Sequence, residues 1–150
     1  MAMMMAVATQ SNAQGSAQNA WNAECEQVQN GKKCFASYHL LNGGASLVQV
    51  AAGYFGKNND PTIVVRFPSD IALQSSLPVS VDNKTIFNLI PLHCNSAGCF
   101  ASVLLSPQNL ALLYKSQTLA LSFSMFGDPR VITGTIPLAG FRAIFEPLKK

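Results

Sequence analysis

Four cysteines in a chain of 150 residues fall as two sequence-local pairs, and no other feature restricts the fold as much. The later pair closes the run Cys94-Asn95-Ser96-Ala97-Gly98-Cys99, built from the residue types that turn a backbone at low steric cost. Apolar runs leave it on both sides, Lys84 to Ile90 before it and Phe100 to Leu105 after it. This pattern predicts a β-hairpin whose connection is stapled by a disulfide. The earlier pair, Cys25 and Cys34, brackets the turn-like Gln29-Asn30-Gly31. Four cysteines allow three connectivities, but hairpin geometry brings each local pair together without help from the rest of the chain. The expected bridges are therefore Cys25–Cys34 and Cys94–Cys99, each worth roughly 2–3 kcal/mol on the chain-entropy account of loop closure. A zinc site is the rival use of four thiolates. Its ligand pairs usually lie about two to four residues apart, and the eight residues between Cys25 and Cys34 fit that poorly. No metal or other cofactor is expected, and paired cysteines place the chain outside the cytosol.

The first twenty residues read differently from the rest. Met1 to Ala8 is a short apolar run, and Ser11 and Ala13 offer small residues at the two positions a signal peptidase reads. We expect the downstream half of a secretory signal cleaved after Ala13, then a flexible polar arm, so that residues 1–20 lie outside a single β-rich domain at 21–150. Nothing in the chain approaches the ~20 apolar residues of a membrane-spanning helix. Trp21, the only tryptophan, stands just before Cys25 and is expected as a core anchor packed over the first disulfide.

Strand signals then follow at intervals of about ten residues. Cys34 to Leu41, Ser46 to Phe55, and Thr62 to Phe67 are bounded by Gly, Asn and Pro clusters, and Ile63, Val65 and Phe67 share one face. Leu77 to Val81 turns at Asp82-Asn83 into Thr85 to Ile90, and the Phe100 strand leads to Ser106-Pro107, a helix start with Leu110, Leu113 and Tyr114 on one face. Gln117 to Phe126 alternates cleanly, with Leu119, Leu121, Phe123 and Met125 on one side. Val131 to Ile136 is the last strand, and Leu138 to Glu146 a terminal helix stopped by Pro147. The expected fold is all-β, a mostly antiparallel sandwich or barrel of about seven or eight short strands with one or two short helices.

The same residues exclude several functions. Hydrophobic residues make up 49% and charged residues 11%, against the low hydrophobicity and high charge of disorder. The basic residues are scattered apart from Lys32-Lys33 and Lys149-Lys150, so no nucleic-acid stripe is present. There is no G-x-S-x-G elbow, no H-E-x-x-H and no phosphate-cradling glycine loop. His93 abuts Cys94, but a paired cysteine offers no thiolate, and His39 sits in an apolar strand. No catalytic residue is assigned. The expected function is non-enzymatic binding of a protein or cell-surface partner, through the loops Asn42 to Ala45, Gly56 to Asp60 and Asn95 to Gly98 or by strand addition at a sheet edge. The alternative is a hydrolase-like site assembled around His39 or His93, with Asp82 as the other participant, which a carboxylate within hydrogen-bond reach of either histidine would favour.

Several of these segments together resemble a known family. Trp21 ahead of Cys25, Cys34, the Pro68…Leu73…Val81-Asp82 segment, Cys94-x-x-x-Gly98-Cys99-x-Ala101 and Ile136-Pro137-Leu138-x-Gly140-Phe141 are similar, in order and spacing, to the invasion-associated locus B family over about Trp21 to Leu148. The resemblance implies a secreted or periplasmic, envelope-associated protein of a Gram-negative bacterium with a compact β-rich fold. It also implies a link to host-cell invasion in pathogenic members. Gln74 stands where the family usually has glycine, a departure that bears on one local turn.

Overall fold

Period-two alternation of apolar side chains decides this architecture, because each strand can bury only one row against a second layer. The computed structural model describes residues 20–42, 45–55, 58–72 and 77–149. The expected signal segment, most of the polar arm and the turn at Gln74 lie outside the described residues. The strands are β1 (Asn22–Val28), β2 (Gly31–Asn42), β3 (Ala45–Phe55), β4 (Asp60–Phe67), β5 (Leu77–Val81), β6 (Lys84–Asn95), β7 (Gly98–Leu104), β8 (Thr118–Phe123) and β9 (Ile132–Pro137). Helix α1 (Pro107–Lys115) joins β7 to β8, and α2 (Phe141–Phe145) runs into a 3₁₀ turn at Glu146–Leu148.

All pairings are antiparallel, in the order β1-β2-β3-β4-β7-β6-β5-β8-β9. The ladder forms two sheets because β6 belongs to both. Its first half, Lys84 to Leu89, pairs with β5, and its second half, Ile90 to Asn95, pairs with β7. The register shifts between Pro91 and His93. A proline has no N–H to give to a ladder, so it suits this bulge, which follows the change of sheets by two residues.

The inward rows meet between the sheets. Val48, Val50, Ile63, Val65 and Phe67 of the larger sheet face Val79, Leu119, Leu121, Phe123 and Ile136 of the smaller, all buried. Phe67 and Phe123 cross it edge to face at 5.3 Å. Each such side chain contributes roughly 1.5–3 kcal/mol of burial. At β9 the larger sheet comes close enough that a Cβ on Gly134 would collide with the Leu40 side chain. Phe141 and Phe145 of α2 close the end of the core, stacked on each other at 5.2 Å.

The fold class read from the sequence is the one observed, with nine strands among the described residues where about seven or eight were expected. The additional strand is β1, whose residues Asn-Ala-Glu-Cys-Glu-Gln-Val carry no apolar alternation. The chain turns at Asp82-Asn83 as expected, and their φ of 49° and 71° are the two positive values of a type I′ hairpin turn. Helix α1 starts as expected, with Ser106 Oγ accepting the Asn109 N–H at 3.1 Å. The terminal helix is shorter than Leu138 to Glu146, because Gly140 turns at φ 86° before it. The α-helix ends at Phe145, ahead of Pro147, which sits in the first turn of the 3₁₀ segment, where its missing N–H costs nothing. Trp21 is a buried core anchor, but its ring meets Tyr38 at 5.6 Å and Phe141 at 4.8 Å. These rings belong to β2 and α2 and not to the first disulfide, whose Cys25 lies four residues further along the chain, about 13 Å at strand rise.

Candidate partner-binding face

The two cysteine pairs occupy directly opposed positions in their hairpins. Cys25 faces Cys34 and Cys94 faces Cys99, with Cα–Cα separations of 4.0 Å in both, and each pair is bonded. One bridge clamps the β1–β2 edge of the larger sheet and the other the β6–β7 turn. That second turn is fastened further. Asn95 Oδ1 accepts the Ala97 N–H at 2.8 Å, and Ala97 O accepts from Arg66 Nη1 at 3.5 Å. Of the other two expected contact loops, residues 43–44 and 56–57 lie outside the described residues, and Asn58-Asn59 forms a turn with Asn59 at φ 55°.

Between the clamps, the outward row of the larger sheet forms a groove of about 310 Å³. Phe35, Phe55 and Phe100 wall it, Ala51 and Val64 floor it, and Arg66 and Glu26 give it one charge of each sign. Gly53 carries no side chain, and Phe55 and Phe35 lie so close above it that a Cβ there would come within 2.7 Å and 3.1 Å of them. The three phenylalanines are half-buried, and His93 stacks on Phe100 at 5.3 Å. This face went unremarked in the sequence, although three aromatics at outward positions were there to count.

The histidines divide. His93 is exposed and stacked on an aromatic ring. His39 Nε2 lies 2.8 Å from Glu24 Oε2 and 3.4 Å from Ser37 Oγ, and Gln49 donates to that hydroxyl at 3.1 Å. A carboxylate within reach of a histidine is the condition stated for a hydrolase-like site, and at His39 it is met. The remaining geometry opposes a triad. The base must take the nucleophile's proton on one ring nitrogen while the carboxylate orients the other, and here Ser37 and Glu24 share Nε2. Ser37 is also 1% exposed, so its hydroxyl is closed to a substrate. Neither His39 nor Glu24 lines the groove.

Asp82 joins neither histidine in a described hydrogen bond. Its Oδ1 accepts the N–H groups of Gln117 and Thr118 at 3.1 and 3.0 Å, while its own N–H donates to Thr118 O at 3.0 Å. The Thr118 and Gln117 N–H groups hold its carboxyl below the usual 3.8. In the same way, hydrogen bonds from the Arg130 side chain and backbone bring Asp128 down to about 2. Behind the core end, burial lifts the Tyr114 phenol to about 12, helped by Tyr54 and Glu146, and Arg142 lies 4.7 Å over its ring. Among the described residues no group of three or more His, Cys, Asp and Glu could hold a metal, and no helix is long and apolar enough to cross a membrane.

Comparison with known proteins adds the following. A family profile described as "Invasion associated locus B (IalB) protein" matches residues 21–149. A crystal structure of invasion associated protein b from Bartonella henselae shares the fold, with a TM-score of 0.73 at 19% identity over 88% of this chain and 92% of that one. No curated protein matches.

Proposed function

The chain belongs to the invasion associated locus B family, and from that premise we propose that it is a secreted or periplasmic envelope module. It binds a protein or cell-surface partner, in host invasion or in envelope upkeep, and performs no chemistry of its own. One observation carries this proposal: the groove on the outward face of the larger sheet, with half-buried aromatics around a small-residue floor, held between two disulfide clamps. Aromatic anchors with a charged neighbour are the composition of binding hot spots. Both clamps limit the ordering that binding would otherwise cost. An oxidising compartment fits both bridges, and the family is not a known enzyme family.

A photo-crosslinking amino acid at Phe100 tests the proposal in intact cells. The expected result is one discrete adduct in the envelope or secreted fraction, lost when Arg66 is changed to Glu, and no adduct from the same probe at Val131. Equal labelling from both positions, or none from Phe100, would reject the outward face as the binding surface.

A further inference from the structure

A second groove, of about 450 Å³, lies at the turn end of the β1–β2 hairpin, with a lining that shares no residue with the first. Lys32 and Lys33 open β2 on one side of it, Asn58 and Asn59 form the β3–β4 turn on another, and Lys149 closes it behind the terminal 3₁₀ turn. Tyr54 and Cys34 line it too, so the first disulfide fixes where the paired lysines stand. Three of the ten basic residues of a sparsely charged chain thus gather in one concavity.

No described carboxylate lines this groove or lies within ion-pair distance of any of the three ammonium groups. The nearest candidates are already placed elsewhere. Glu146 is held by Arg142 in two hydrogen bonds at 3.1 and 3.3 Å. Glu26, directly opposite Lys33 in register, lines the other groove. Three ammonium groups in one concavity, none in ion-pair contact with a described carboxylate, focus a positive potential that a bound anion relieves.

The lining narrows the class of anion. It holds lysines and no arginine, so the charge is carried by ammonium groups on flexible stems, which hold phosphate or sulfate oxygens as point charges and can gather on several of them at once. The two asparagine amides supply both donors and acceptors, and the Tyr54 ring an apolar surface, the complement of hydroxyl-bearing rings. The volume is that of an ordinary small-ligand site. We propose that this groove binds a saccharide carrying clustered sulfate or phosphate esters, with Lys32, Lys33 and Lys149 on the oxyanions and Asn58, Asn59 and Tyr54 against the sugar.

Titration calorimetry of the oxidised protein tests this with a heparin-derived sulfated hexasaccharide, inositol hexakisphosphate and anionic phospholipid vesicles as probes. The expected result is one-to-one binding of the hexasaccharide that weakens steeply with salt. The Lys32→Gln/Lys33→Gln/Lys149→Gln variant should lose at least about tenfold in affinity at an unchanged melting temperature. Lys84→Ala/Lys115→Ala/Arg130→Ala, which removes equal charge away from the groove, should lose less than about twofold. Equal losses in the two variants would overturn the site in favour of net charge. So would failure to bind the hexasaccharide, including the cases where only the vesicles or only the sugar-free hexakisphosphate bind.

Discussion

Gly98 shows how much a single position can decide. It opens β7 at φ 144°, where side chains are rarely tolerated, and a Cβ there would stand 2.5 Å from the Phe67 carbonyl oxygen. That oxygen belongs to backbone and cannot swing aside, so the β6–β7 turn can lie against β4 only if the residue is glycine. We expect Gly98→Ala to cost about 2–4 kcal/mol in urea unfolding, summing an unfavourable φ with the contact. Gly127→Ala shares the positive φ, at 81°, but meets no atom within 4 Å, and should cost only about 1 kcal/mol. Equal losses at the two positions would mean that backbone conformation alone, and not the Phe67 carbonyl, selects the glycine. Cys94, Gly98 and Cys99 were readable in advance because turn chemistry and bridge spacing are local. The His39–Glu24 contact was not, since it joins residues on different strands and depends on the β1–β2 register.

Among the elements, the β5–β6 hairpin and β8 are linked by one carboxylate. Asp82 accepts the Gln117 and Thr118 N–H groups where α1 hands over to β8, and these bonds form best when it is ionised. Its folded pKa is therefore lower than its unfolded one. Such a group adds stability that is fully present above the unfolded value of 3.8 and is lost as the pH falls through the lower folded value. Asp82→Asn keeps the shape and the left-handed turn but removes the charge. The melting temperatures of wild type and variant should differ most above pH 4 and converge as Asp82 protonates; a gap that stays constant down to pH 2 would refute the linkage. The elements also mark the limit of sequence reading. β8 was plain from Leu119, Leu121 and Phe123, each buried on one face. β1 had no alternation to display, because an edge strand has both faces largely exposed; only the hairpin expected at Cys25–Cys34 pointed to it, and its pairing with β2 and that bridge make it a strand. The lysine groove draws on β2, a turn and the chain end, which only the fold brings together.

For the whole molecule, the shared strand matters most. Because β6 gives one half to each sheet, neither sheet can open along it without disturbing the other. Leu89 stands at the handover and is wholly buried. The far end is tied as well: Trp21 Nε1 donates to Pro137 O at 2.8 Å, joining the entry of β1 to the end of β9, the two ends of the strand order. A chain linked both through its middle strand and between its outermost strands should unfold as one unit. Trp21 fluorescence reports the outer tie, while far-UV circular dichroism reports all nine strands, and their urea transitions should coincide. Leu89→Ala should move both midpoints down together, by about 2–5 kcal/mol of stability, because the cavity it leaves borders both sheets. If the fluorescence change came first and the circular dichroism followed at higher urea, the β1–β9 tie would be a separate, weaker unit. If Leu89→Ala split a single transition into two, the sheets would be independent folding units joined by a long strand, and β6 would be a linker and not the spine of the fold.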